Sequence, residues 1–250
     1  VAAGEVLIAV DAATPDCTLD DRVLVDALSR AGFAPSPLLW GGDVAPGSMV
    51  IVRSTWDYIE RPGAFAEWLD LLDARGAVVH NPTDLMRGNT HKRYLLDLAA
   101  AGVPTVPTEL VPAGGSCSIA DLMQQRGWQA AVVKPAIGGT ARLAATSARV
   151  GVAALQRHLD RVVAREDALV QPYVSSIERT GEFSIIAIGG AVLLTVRKAP
   201  SRGEWRVQSD FGGTATAVPL PDDMAAVAQD VLAWLPTTPT YARLDVVRDD

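Results

Sequence analysis

The sequence predicts an α/β chain: a small parallel layer first, then α+β material rich in glycine turns. Three observations carry this. Short apolar runs alternate with helix-patterned stretches in the first third of the chain. Glycine or proline stops the helices. Beyond Gly102 and Pro104 the pattern shifts towards strands and glycine-rich turns.

Glu5–Asp11 (EVLIAVD) is a short apolar run that reads as a core strand. Thr18 can cap the following helix, with Asp21 three residues on, and Gly32 ends it. Strands are expected at Pro37–Trp40, Met49–Arg53 and Ala77–His80, alternating with a helix over Pro62–Arg75 that Gly76 stops. This layer ends near Asn81-Pro82, and a helix over Asn89–Ala101 follows. Val106–Val111 and Ala130–Lys134 read as strands around a helix at Ser118–Arg126. Arg142–Ser147, a helix over Val152–Arg165 and a strand at Ala168–Val174 complete an α+β unit. Glu182–Ile188, Ala191–Lys198 and Trp205–Gln208 read as successive strands, the first two joined by the turn pair Gly189-Gly190. A helix over Pro221–Leu235 and a strand at Tyr241–Val247 close the pattern. No internal repeat or low-complexity tract interrupts it.

Composition narrows the function. With 49% hydrophobic and 20% charged residues over 250 positions, the chain is globular rather than disordered. A net charge of -7 argues against nucleic-acid binding, which needs a basic footprint to neutralise phosphates. Cys17 and Cys117 form no CxxC pair, which fits a reducing cytoplasm and argues against a disulfide framework or zinc site. Val1–Val10 has no basic flank and is too short to span a membrane. A first residue of valine suggests that the native start is absent. No GxSxG, HExxH, P-loop or GxGxxG motif occurs, and His80, His91 and His158 have no metal spacing. The tryptophans are dispersed and read as packing residues.

The chemistry gathers around basic residues and glycine loops. Lys134 ends the run AAVVK before Pro135, so its ammonium needs either an anion or a route to water. On that fact alone a snorkelling edge lysine is the plainer reading. Ile137-Gly138-Gly139-Thr140 follows, a loop whose unhindered N–H groups can form a nest for phosphate oxygens, although glycine pairs also mark plain turns. Lys92 is expected in the first turns of its helix, where its charge gains nothing from the dipole. Val170–Val174 (VQPYV) is a strand entering a proline-interrupted linker, with backbone groups free for an adenine edge.

The order of these features, from NxxK through strand-KP-GG and VQPYV to Gly181-Glu182, Arg206, Gly212-Gly213 and Asp245, resembles the ATP-grasp superfamily along most of the chain. The resemblance implies an ATP-grasp fold with an N-terminal parallel α/β domain (residues 1–88), a central lid (89–172) and a C-terminal antiparallel-sheet domain (173–250). It implies ATP and Mg2+ as cofactors. Lys92 and Lys134 would contact phosphates under the Gly138, Gly139 and Thr140 loop. Gln171, Tyr173 and Val174 would line the adenine pocket, Glu182 would reach the ribose, Arg206 would stabilise the transferring phosphate, and Asp245 would hold magnesium. The family normally has further metal acids after the Asp245 position, whereas this sequence stops at Asp249-Asp250, which suggests a missing terminal segment.

Substrate expectations come from two further clusters. Arg53, Ser54, Thr55 and Asp57 (RSTWDY) follow a strand, at the carboxyl end where open α/β sheets bind ligands. Arg53 can clamp a carboxylate there, or pair with Asp57 across a surface loop. Lys198, Arg202 and Arg206 flank a turn and, with Gly212, Gly213 and Thr214, resemble the acceptor-side loop of glutathione-synthetase-like members, with Lys198 and Arg206 as the catalytic cations. The motifs STWDY, VVKPAIGGTA, GEWRVQ, DFGGT and YARLDVV look most like the short glutathione-synthetase-like branch that includes O-ureido-serine cyclo-ligases of antibiotic biosynthesis. The implied activity is a carbon–nitrogen ligase that phosphorylates a small amino-acid-type carboxylate and joins it to an amine or ureido nitrogen. An intermolecular amino acid or peptide ligase and a silent ATP-binding module are the alternatives. A homodimer suits the fold, though no feature demands one.

Overall fold

A computed structural model describes residues 4–249 and contains two compact units, Val1–Thr90 and His91–Asp250. Among the described residues no helix is long and apolar enough to cross a membrane.

The first unit runs β1 (Glu5–Val10), α1 (Leu19–Arg30), β2 (Ala34–Leu39), β3 (Met49–Ser54), a 3-10 turn (Trp56–Ile59), α2 (Pro62–Ala74), β4 (Val78–His80) and α3 (Thr83–Thr90). Its sheet is parallel in the order β2-β1-β3-β4. β1 is apolar from Val6 to Val10 because both of its faces are covered. Val6, Ile8 and Val10 pack with Leu24, Val25 and Leu28 of α1, while Ala9, Val50 and Val52 pack with Phe65, Trp68, Leu69 and Leu72 of α2. β2 begins three residues earlier than the sequence suggests and takes in Pro35 and Pro37. Ala34 donates its N–H to Gly4, just before β1, and Trp40 donates to Val10 of β1, so the two prolines sit on the alternate, outward side of an edge strand, where no ladder donor is needed.

The expected Thr18 cap is present, and it does more than cap. The Thr18 hydroxyl accepts the Asp21 N–H, and the Asp21 carboxylate accepts from both the Thr18 N–H and its hydroxyl. Asp21 is fully buried, and the same carboxylate accepts from Ser54 Oγ (2.5 Å) and Arg53 Nε (3.1 Å). These bonds hold its pKa below the usual carboxylate range although burial pulls it upward.

The second unit holds α4 (Tyr94–Ala100), β5 (Glu109–Val111), α5 (Ile119–Arg126), β6 (Ala131–Pro135), β7 (Ala145–Thr146), α6 (Ser147–Val150), α7 (Val152–Val163), β8 (Ala168–Pro172), α8 (Ser176–Thr180), β9 (Glu182–Ile188), β10 (Ala191–Ala199), β11 (Thr214–Val218), α9 (Asp222–Trp234) and β12 (Tyr241–Val246). It has two antiparallel sheets, β5-β8-β6-β7 and β11-β10-β9-β12.

Three elements differ from the sequence reading. The helix expected over Asn89–Ala101 is interrupted at His91–Arg93, which places Lys92 in the break before α4. Only Ala145–Thr146 of Arg142–Ser147 forms a strand, because Thr140, Ala141 and Leu143 adopt left-handed backbone that cannot continue a ladder. Trp205–Gln208 is no strand. The Glu204 carboxylate accepts the N–H groups of Trp205 and Arg206 and bends the chain there, and the strand that pairs with β10 is Thr214–Val218.

Thr18→Ala removes a capping hydroxyl and leaves buried Asp21 with one partner fewer. We expect a loss of about 1–2 kcal/mol, read as a lower denaturant midpoint with an unchanged slope.

Candidate active site

Strand alternation builds one polar face. Glu182 and Ser184 lie on the same side of β9, Lys198 of β10 lies opposite Glu182, and Asp245 of β12 lies opposite Ser184. The other side carries Phe183 and Ile185, which pack against Met224 and Ala228 of α9. One face is therefore anchored in a core and the other is left for charge.

Lys198 Nζ stands 3.2 Å from Glu182 Oε1 and 3.5 Å from Asp245 Oδ1. Asp245 also accepts from Ser184 Oγ (2.5 Å) and, through its other oxygen, from Arg243 Nε (3.2 Å) and Nη2 (3.0 Å). Burial, reinforced by the charge of Asp245, pushes Glu182 above the usual carboxylate range. Burial acts the same way on Asp245, but Arg243, Lys198 and the Ser184 hydroxyl outweigh it and hold Asp245 below that range. Arg243 and Ser184 were not singled out from the sequence. The signal was the period of two, which puts residues 243 and 245 on one side of a strand.

Two further lysines belong to the same unit. Lys134 lies on β6 opposite Leu169 of β8, and burial pushes its pKa down while Glu182 opposes the fall. Lys92 donates its N–H to the Ala136 carbonyl and its ammonium to the Gly138 carbonyl (2.5 Å). Burial, aided by the Lys134 charge, lowers its pKa to about 8. Desolvated ammonium groups that repel one another are stabilised by an anion with several oxygens, such as a polyphosphate. The glycine loop meets them: Gly138 is in contact with Lys92, and the left-handed residues beside it are Thr140 and Ala141 rather than Gly138 or Gly139.

The remaining expected residues are distributed as follows. Gln171 is buried, and its amide donates to Thr108 Oγ1. Tyr173 donates its N–H to Ala130 and its hydroxyl to Glu178, which raises its pKa alongside burial, and its ring meets Trp205 edge-on at 6.1 Å. The Val174 carbonyl accepts the Ile177 N–H. Arg206 is gripped by Glu204 (Nη2 to Oε2, 2.6 Å) and lies 3.5 Å over the Phe211 ring, an arrangement distinct from the Lys198 cluster. Gly212 is left-handed, and a Cβ at Gly213 would lie 2.1 Å from the Val207 carbonyl oxygen, so only glycine fits where the chain turns into Thr214 at the start of β11. Arg53, Ser54, Thr55 and Asp57 lie in the first unit. Arg53 pairs with Asp21, and Asp57 accepts from Trp40 Nε1 and Arg61 Nη2 (both 2.5 Å), so Arg53 and Asp57 are not each other's partner.

No group of three or more His, Cys, Asp or Glu side chains arranged for a metal occurs among the described residues. Magnesium does not require one: it is commonly held by one or two carboxylates together with phosphate oxygens. Asp245, held charged beside Lys198 and Arg243, fits that mode.

Comparison with known proteins settles the family. The profile of the prokaryotic glutathione synthetase ATP-grasp domain matches residues 100–250. The chain belongs to this ATP-grasp family. It is a carbon–nitrogen ligase of that family, whose members use ATP with magnesium. A second profile, the N-terminal domain of D-cycloserine synthetase DcsG, matches residues 6–81. The chain is 28% identical over 202 residues to the cycloserine biosynthesis protein DcsG of Streptomyces lavendulae, covering 78% of this chain and 67% of that protein. The crystal structure of D-cycloserine synthetase DcsG superposes with a TM-score of 0.86 at 28% identity, over 98% of this chain and 87% of the other. A D-alanine–D-alanine ligase from Bacillus anthracis shares the fold at a TM-score of 0.67 and 14% identity, over 99% and 84% of the two chains.

Gly181 sets the approach of β9 to β10. Its φ is 82°, and a Cβ there would lie 2.3 Å from the Lys198 carbonyl. Gly181→Ala should cost about 2 kcal/mol or more and weaken ATP binding by displacing Glu182 and Lys198. Calorimetric unfolding and nucleotide titration of the variant check both.

Proposed function

We propose that this ATP-grasp ligase closes a ring, converting O-ureido-D-serine to D-cycloserine. The observation that carries the reading is the match of the first unit to the DcsG N-terminal domain. Many ATP-grasp ligases share the nucleotide-binding portion, whereas the match over residues 6–81 is to a domain named for D-cycloserine synthetase, and on that basis we take residues 1–88 as the substrate-side domain. Residues 89–172 serve as the lid and 173–250 as the C-terminal ATP-grasp domain.

Carboxylates resist nucleophiles, so the carboxylate oxygen of the substrate first attacks the γ-phosphorus of ATP and ADP leaves. Lys92, Lys134 and Lys198 neutralise the charge spread over the phosphoryl oxygens, with Gly138, Gly139 and Thr140 closing over them. Magnesium, held by Asp245, supplies further neutralisation when bound. Gln171, Tyr173 and Val174 line the adenine, Glu182 faces the ribose, and Arg206 leaves Glu204 to meet the transferring phosphate. The oxygen-bound ureido nitrogen then attacks the acyl carbon, phosphate leaves, and a five-membered ring closes. Loss of the carbamoyl group by hydrolysis gives the free ring. Because nucleophile and electrophile are in one molecule, high effective molarity drives the second step, and the protein has only to hold a folded conformer and exclude water. Arg53, Ser54, Thr55 and Asp57 are our substrate-side candidates in the first unit, and Gly212, Gly213 and Thr214 those in the second.

The test is magnesium-dependent phosphate release with O-ureido-D-serine and a panel of small amino acids, alone and in pairs, with product masses. Release with O-ureido-D-serine alone, giving the ring, is expected, and Lys134→Ala should lower it by at least about a hundredfold. Release only with paired substrates would replace this reading with an intermolecular ligase.

The Lys92 pKa gives an independent check. An ammonium that binds phosphate must be protonated, so ATP affinity should be flat below about pH 8 and fall above it. The sign for stability is opposite: between about pH 8 and the ordinary lysine pKa near 10.4, the unfolded chain binds the extra proton. Nucleotide-free stability therefore gains from Lys92 as pH rises through that window. Affinity and unfolding measured across it read both slopes.

A further inference from the structure

The residue just before Lys92 makes a connection that nucleotide binding does not account for. His91 Nε2 lies 3.2 Å from Asp167 Oδ2, and His91 Nδ1 accepts the Arg93 N–H at 3.1 Å. With Nδ1 an acceptor, neutral His91 carries its proton on Nε2 and donates it to Asp167. Asp167 precedes β8 and is fully engaged: its other carboxylate oxygen accepts the Ala113 N–H (2.8 Å), and its backbone carbonyl accepts the Ala136 N–H (2.8 Å). Ala136 in turn accepts the Lys92 N–H at 2.9 Å. The path Lys92, Ala136, Asp167, His91 and back to Lys92 is therefore a closed ring. It holds the break between α3 and α4 to the end of β6, two residues beyond Lys134.

We propose that His91 and Asp167 are positioning residues that fix Lys92 relative to Lys134, and so set affinity for the triphosphate, without touching the nucleotide. The inference rests on the assignment of Lys92 and Lys134 to ATP phosphates. A helix would have carried residues 91–93 along its own axis. The break frees Lys92 to turn its ammonium to Gly138, and a broken helix needs an outside tether to hold one geometry. Asp167 is that tether, and only a side chain presenting an acceptor at one end and a donor at the other serves both the turn and the tether.

Two substitutions separate these duties. Asparagine places an acceptor where Nδ1 stands, and glutamine places a donor where Nε2 stands. In titrations with magnesium and a non-hydrolysable ATP analogue, His91→Gln should stay within about twofold of the native affinity and His91→Asn should lose about tenfold, the scale of one charge-assisted hydrogen bond. For His91→Asn the KM for ATP should rise while kcat at saturation holds. Asp167→Asn, which faces His91 with an amide, should reproduce that loss, and combining it with His91→Asn should add nothing. The reverse order of the two His91 variants, native affinity in both, or additive losses in the double variant would overturn the proposal. Lys92→Ala is the control. If it leaves affinity unchanged, the phosphate assignment itself fails, whereas a large loss there with no loss in His91→Asn removes only the tether.

Discussion

A single ammonium shared between two carboxylates organises the second unit. Lys198 lies near both Glu182 and Asp245, which come from neighbouring strands: Glu182 is on β9, which is flanked by β12 with Asp245 and by β10 with Lys198. Two acids brought this close would each resist ionisation, and the cation between them, helped by Arg243, lets one stay charged while the other is pushed upward. The arrangement depends on register, because a slip of one residue would send Glu182 or Asp245 into the core beside Met224. It depends equally on Gly181, whose missing side chain lets β9 begin against the Lys198 carbonyl.

Lys92 and Lys134 work on the opposite principle. Their charges are held in partly dry surroundings, and the Lys134 charge further disfavours that of Lys92, a cost that a nearby anion would relieve. Under the assignment proposed for them, binding would remove a cost already present in the protein, which favours multiply charged ligands over single carboxylates. The carbonyl of Gly138 gives Lys92 a neutral resting partner that a phosphate oxygen can displace.

Much of the fold was legible because local rules and tertiary context agree. The Thr18 and Asp21 cap, the Gly189-Gly190 hairpin and the apolar run of β1 all appear where pattern places them. Two of the failures share a cause: side chains that bond to nearby backbone override propensity. Glu204 bends the apparent strand at Trp205–Gln208, and the His91 side chain takes the Arg93 N–H within the break in the expected helix around Lys92. At the site, the family resemblance pointed to Lys134, Glu182 and Asp245, whereas Lys198 was expected beside Arg202 and Arg206 and stands instead between Glu182 and Asp245. The pairing of Arg53 with Asp21, and of Asp57 with Trp40 and Arg61, needed three-dimensional neighbours distant in sequence.

The two prolines of β2 have a consequence for association between molecules. An open parallel sheet ends in a row of donors and acceptors on which another strand can template itself, and Pro35 and Pro37 delete two consecutive donors from that row. An incoming strand would find carbonyls without the alternating N–H groups that lock register. The first unit is thereby protected along this margin against sheet-to-sheet stacking of copies and against strand exchange while β2 is still docking during folding.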